Sequence, residues 1–205
     1  MSLLTTWGYM LTEEDTLPDM LMYGEYETIT GRHDRAEQVL EEIAAACAAV
    51  RNYVGWHLGP SAACRVSTTF LDRRVVRVGS DVLIQLPARY VTDIDSVMIN
   101  GTSYETFVLD PSGLLRVINT PPAERYAPVV VDYTAGLPDT LMAPIKEMLA
   151  SRVTHALAVP PGITSEASGG VSVTYNASWI NNSSASGLTN TNRELLTPYK
   201  VMGVF

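Results

Sequence analysis

Between residues 64 and 134 the hydrophobic period shortens from helical to alternating, and that change most restricts how the chain can fold. Short runs rich in β-branched and aromatic residues follow one another there: Cys64–Leu71, Val75–Val78, Val82–Leu86, Ile94–Ile99, Tyr104–Leu109, Leu114–Ile118 and Val129–Tyr133. Turn chemistry separates them. Asn100-Gly101 is the strongest short hairpin signal, Asp110-Pro-Ser-Gly113 fits a tight turn, and Pro121-Pro122 breaks the next connection. Strands this short and this closely spaced predict an antiparallel sandwich or barrel.

Helical periodicity flanks the β segment. Ala36, Val39, Leu40, Ile43, Cys47, Val50 and Val54 line one face of a helix expected over 31–54, with Thr30 or Asp34 to cap it and Gly55 to end it. Leu141, Ile145, Met148, Leu149, Val153 and Leu157 repeat the pattern over 138–158, where Pro144 predicts a late start or a kink. Before the first helix, residues 1–30 read as an arm with one short helix opening at Thr12-Glu-Glu-Asp15. After the second, residues 161–205 are polar and low in charge. The expected class is α+β: a small α-helical core of two main helices (31–60 and 138–160), an inserted antiparallel β sandwich or barrel (61–137), the acidic arm (1–30) and a long extended C-terminal tail (161–205).

Charge is uneven. The net charge is −8, and residues 1–42 carry all of it, with ten acids against Arg32 and Arg35. Such a face disfavours tight phosphate binding, which needs Lys and Arg to release counterions. Double-stranded DNA is therefore expected to pass this chain without specific binding. No segment reads as a membrane span or a secretory signal, so a cytoplasmic site of synthesis is expected.

Catalytic signatures are missing. Three histidines (His33, His57, His155) and two cysteines (Cys47, Cys64) form no metal-ligand spacing, and no phosphate loop or nucleophile elbow occurs. His57 beside Trp56 reads as a packed core histidine, Asp93 and Asp95 as surface carboxylates, and Arg73, Arg74 and Arg77 as a solvated or subunit-facing edge. No catalytic residue, cofactor or metal is expected. In the tail, Val171, Val173, Tyr175, Trp179, Leu195, Leu196 and Tyr199 are candidate anchors for a neighbouring subunit or partner, by strand addition.

Four stretches carry a resemblance. Ala44-Ala-Ala-Cys-Ala-Ala-Val-Arg-Asn-Tyr53-Val-Gly-Trp56-His57 resembles the first core helix of the head-to-tail connector (adaptor) proteins of long-tailed phages. That helix commonly ends Arg-x-Tyr-Cys-Gly-Trp-His, and Val54 stands here in place of the Cys. Leu86-Pro through Asn100-Gly101 is similar to the family's hairpin, and Val131-Asp-Tyr-Thr-Ala-Gly-Leu-Pro138 to its strand-to-helix junction. Ser165–Tyr175 and Leu195-Leu-Thr-Pro-Tyr199 resemble its tail. The resemblance spans roughly residues 30–202. It implies a virion protein of the neck: a homo-oligomeric ring, usually a dodecamer, docked on the portal protein, extending the DNA channel and receiving the next neck (stopper) or tail protein. Another neck or tail-completion protein, or a small-molecule-binding domain built on the β insertion, are the alternatives.

Overall fold

The computed structural model describes residues 3–14, 16–110, 112–158, 165–168, 171–174 and 188–201, with the backbone alone for 165–168 and 171–174. The chain is α+β, with four α-helices and antiparallel sheets among the described residues. It divides into two compact units, one of Met1–Pro18, Gly55–Pro138 and Tyr199–Phe205, the other of Asp19–Val54 and Asp139–Pro198.

The first unit holds two open sheets. One has six strands in the order β1 (Leu3–Leu4), β2 (Met10–Leu11), β3 (Ala62–Thr69), β10 (Pro128–Ala135), β6 (Val91–Ile99) and β7 (Thr102–Ser103). The other has four, in the order β4 (Val75–Val78), β5 (Asp81–Gln85), β9 (Leu114–Val117) and β8 (Phe107–Leu109). Alternation buries one face of each: Val66, Val97, Val129, Val131 and Tyr133 from the first, Val82, Ile84, Leu115 and Val117 from the second. The expected barrel is not formed. Closure requires the two end strands of a sheet to pair, and here β1 and β7, like β4 and β8, remain edges.

Local chemistry explains the turns. Asn100 (φ 51°) and Gly101 (φ 77°) both take the left-handed conformation that a two-residue hairpin between β6 and β7 demands. At Asp110 the carbonyl accepts from Gly113 N–H (2.9 Å) and the carboxylate from Ser112 N–H (2.8 Å). Between β3 and β4, Asp72 accepts from Thr68 Oγ1 (2.8 Å), from Arg74 N–H (2.9 Å) and from the Arg74 guanidinium (2.7 Å). The Arg74 pair, with help from the backbone N–H and Thr68, brings the Asp72 carboxyl from 3.8 down to about 2. A depressed carboxyl pKa adds stability above the unfolded value and loses it as pH falls through the folded one. Asp72→Asn is therefore expected to cost about 2 kcal/mol at pH 7 and almost nothing at pH 2, measured by urea unfolding at the two pH values.

The arm is not free: residues 3–11 supply β1 and β2, with Met10 opposite Arg65 and Leu11 opposite Cys64 on β3. Alternating apolar residues let them extend the sheet, and Leu11 is fully buried. The short helix lies later than Thr12, at α1 (Tyr23–Thr30). There Glu25 reaches back to the Met22 N–H (2.9 Å), and Gly31 ends the helix at φ 66°.

In the second unit α1 is joined by α2 (Ala36–Val54), α3 (Asp139–Ala158) and α4 (Asn190–Leu196), and by the hairpin of β11 (Ser165–Ser168) with β12 (Val171–Thr174). α2 packs on α3, and Val39, Ile43, Cys47 and Val50 of the one and Ile145, Leu149 and Val153 of the other are buried. Gly55, at φ 79°, follows its last turn. Asp34 lies before its first turn and instead receives Arg32 and Tyr26. α3 starts at Asp139, not late: Pro144 sits on an exposed face, where the carbonyl it leaves unbonded can meet water. Lys146 Nζ ties α3 to α1 through Glu25 at 2.6 Å. Where an extended tail was expected, residues 190–196 are helical, because Thr189 caps the Asn192 N–H and Leu196 finds a buried place.

Candidate functional site

Residues from all four resemblance-bearing stretches meet in the first unit, beside the segment that leads into β3. Trp56 and His57 are buried there, their rings edge to face at 5.3 Å. His57 Nε2 lies 2.8 Å from the Ala135 carbonyl. A carbonyl only accepts, so Nε2 carries the proton and Nδ1 is the acceptor. The Tyr9 hydroxyl donates to Nδ1 at 2.7 Å, and its oxygen accepts the His57 backbone N–H at 2.9 Å. The ring and backbone polar atoms of His57 thus have partners among the described residues, which fixes the ring in place.

The strand-to-helix junction closes on the same place. Leu137 N–H donates to the Leu58 carbonyl (2.8 Å) and Gly136 N–H to the Tyr90 carbonyl (3.2 Å). Gly136 lies so close to Ser61 that a β-carbon there would overlap the Ser61 backbone. Tyr199 completes the joint: its carbonyl accepts Trp56 Nε1–H at 2.8 Å, and its ring lies 6.2 Å from that of Tyr90.

In the second unit Tyr53 directs its hydroxyl to the Arg193 carbonyl (3.4 Å) and Thr197 Oγ1 (3.3 Å). Leu196 is buried, Leu195 and Tyr199 are half-buried, and the backbone of Val171 and Val173 pairs with Ser168 and Glu166. Tyr175 and Trp179 lie outside the described residues. Of the anchors expected in the tail, Leu196 and the Tyr199 carbonyl are therefore engaged within the chain.

Sequence reasoning missed Tyr9, the histidine's partner. Its only signal is the apolar alternation Trp7, Tyr9, Leu11, which marks one face of a strand. It also missed a groove of about 520 Å³ on the six-stranded sheet, lined by Thr12, Glu13, Glu14, Arg65, Asp95 and Asp132 among others. Arg65 pairs with Asp132 at 2.5 Å and holds that carboxyl below its usual range. Asp95 is exposed, but the strand's alternation breaks beside it, where the register with β10 shifts.

Nucleophilic chemistry has little to start from here. Burial pushes the Cys64 thiol to about 12 and raises that of Cys47, so neither is a thiolate at neutral pH. Among the described residues the buried Tyr133 hydroxyl finds no regular hydrogen-bond partner; the Cys64 thiol is its polar neighbour. Among the described residues no three His, Cys, Asp or Glu side chains gather to hold a metal ion, and no helix is long and apolar enough to cross a membrane.

Compared with known proteins, the chain matches no protein-family model and no curated protein.

Proposed function

We propose that this chain is a structural subunit of a phage neck, a head–tail connector that forms a ring beneath the portal, and that it is not an enzyme. The observation that carries the reading is the joint. Trp56-His57, Tyr90, Ala135-Gly136 and Tyr199, drawn from four separate stretches of the resemblance, are bonded to one another around a single point. Residues recognised only as motifs thus have a shared physical job, which is to fix how β3, β10 and the C-terminal segment leave one place.

In this reading α2 and α3 are the helical core, and the two sheets form a β sandwich inserted between them in the chain. The subunit sits in the virion neck, contacts the portal protein on one side and a stopper or tail protein on the other, and lines a channel for double-stranded DNA. Acids concentrated before residue 43 keep DNA mobile by repulsion where they face the lumen.

Negative-stain electron microscopy of the purified protein, alone and mixed with portal rings of the same particle, tests the proposal. A ring of this chain capping the portal is expected. A monomer that ignores the portal would remove the connector role, and a ring bound elsewhere in the neck would move the chain to the tail-completion class.

A further inference from the structure

Sheet edges are usually blunted by charge, proline or cover. The four-stranded sheet ends instead in β4, Val75-Val-Arg-Val78, and β8, Phe107-Val-Leu109. Arg77 is the one charged residue in either strand, and its guanidinium is turned back onto the carbonyls of Thr120 (3.1 Å) and Pro121 (2.7 Å). Val76 and Val108 are 50% and 56% exposed on the outward face. They stand at the two ends of one cross-strand row, Val76–Leu83–Arg116–Val108.

The outward main-chain groups follow from the ladder. Gln85 N–H donates to the Arg74 carbonyl, Ile118 N–H to that of Thr106, and Asp110 N–H to that of Leu114. Bonded and non-bonded pairs alternate in an antiparallel ladder. Val75 and Arg77 therefore turn their main-chain groups away from β5, and Phe107 and Leu109 turn theirs away from β9. Among the described residues, only the Val75 N–H is already used, by the Asp72 carbonyl.

We infer that the β8 edge of one copy of this chain pairs antiparallel with the β4 edge of the next, so that the four-stranded sheet continues from subunit to subunit. Consecutive strands in the sheet alternate in direction, so β8 runs opposite to β4 and the next copy joins without being turned over. Phe107 then stands opposite Arg77 and Leu109 opposite Val75, joined by three hydrogen bonds. Val108 meets Val76 and Asp110 meets Arg74 on the outward face.

Charge selects this arrangement. Glu105 and Asp110 flank β8, both exposed, while Arg73, exposed, and Arg74 flank β4. Pairing β8 with a second β8 sets Asp110 of each copy beside the acidic flank of the other. Pairing β4 with β4 offers no acid to Arg73. The mixed pairing sets Asp110 beside the Arg73-Arg74 flank and leaves Glu105 opposite Gly79, so no like charges meet. It is head-to-tail, the kind of contact that closes a ring when its rotation allows.

This inference rests on the ring reading, and disulfide trapping separates the two. Val76 and Val108 become a non-hydrogen-bonded pair, with Cα atoms about 4.5 Å apart, within disulfide reach. Cys47 and Cys64 are buried and stay silent. Val76→Cys and Val108→Cys proteins, mixed under mild oxidation at ring-forming concentration with portal rings present, are expected to yield the mixed dimer at least tenfold over either homodimer. Rings visible by microscopy without that mixed crosslink would overturn the edge pairing and leave the ring reading standing. No crosslink and no ring would remove both, and the crosslink without a ring would keep the pairing and remove the ring. Val108→Lys, at an exposed site, is expected to leave melting unchanged and cut ring formation at least tenfold; undiminished rings would count against the pairing.

Discussion

Gly136→Ala is expected to destabilise the unit that holds it by at least about 3 kcal/mol, the upper end of the cost of overpacking. The reason is local. The added β-carbon would overlap the Ser61 Cα and stand 2.6 Å from the Ser61 backbone nitrogen, and backbone cannot rotate away as a side chain does. Making room requires β3 and the segment after β10 to move apart, which strains the bonds from Leu137 to Leu58 and from His57 to Ala135. Gly55→Ala is the control. Gly55 has φ 79° but nothing within 4 Å of an added carbon, so it pays only the left-handed penalty, about 1–2 kcal/mol. Urea unfolding of the two variants beside the parent measures the difference. Equal losses would mean that the close approach at Ser61 relaxes freely and that conformation alone matters.

Trp56→Ala is expected to cost about 3–5 kcal/mol, as large-to-small changes at buried aromatics do. Trp56 is fully buried, so truncation leaves a cavity as well as removing apolar area from the core. It also strips the Nε1 donor from the Tyr199 carbonyl (2.8 Å) and the edge-to-face partner from His57. For a chain of this length the melting temperature should fall by roughly 6–20 °C. Trp56→Phe separates the contributions. It keeps most of the ring and loses the donor, so the expected cost is about 1–3 kcal/mol. A Phe variant as unstable as the Ala variant would place the stabilisation in the hydrogen bond instead of the packing.

Both substitutions act on the joint that the connector proposal depends on. Neither residue faces an expected partner, so their first effect is on folding, and ring formation should be lost only as the fold is lost. The valines at the sheet edges behave in the opposite way, since exposed positions leave folding alone and change association. The two sets of variants thus distinguish the stability of the subunit from its assembly.

Legible in the sequence were the features governed by near neighbours. The period of Val39, Ile43, Cys47 and Val50 marks α2, the left-handed pair Asn100-Gly101 forces the hairpin after β6, and β-branched runs mark the strands from Val75 onward to within a few residues. The packed role of His57 beside Trp56 was legible too, because an apolar setting and the want of a metal-ligand spacing leave little else. What only the tertiary structure decided involves partners distant in the chain. Tyr9 bonds His57 across 48 residues, Trp56 bonds Tyr199 across 143, and residues 3–11 enter a sheet whose other strands begin at Ala62. Residues 190–196 turn helical because Thr189 caps them and Leu196 has a site to fill, which composition rich in Ser, Asn and Thr does not announce. Sheet order belongs to the same class. Alternation states which side of a strand is buried, but long-range pairing chooses its neighbour, and so only the fold leaves Val76 and Val108 at opposite open edges of one sheet.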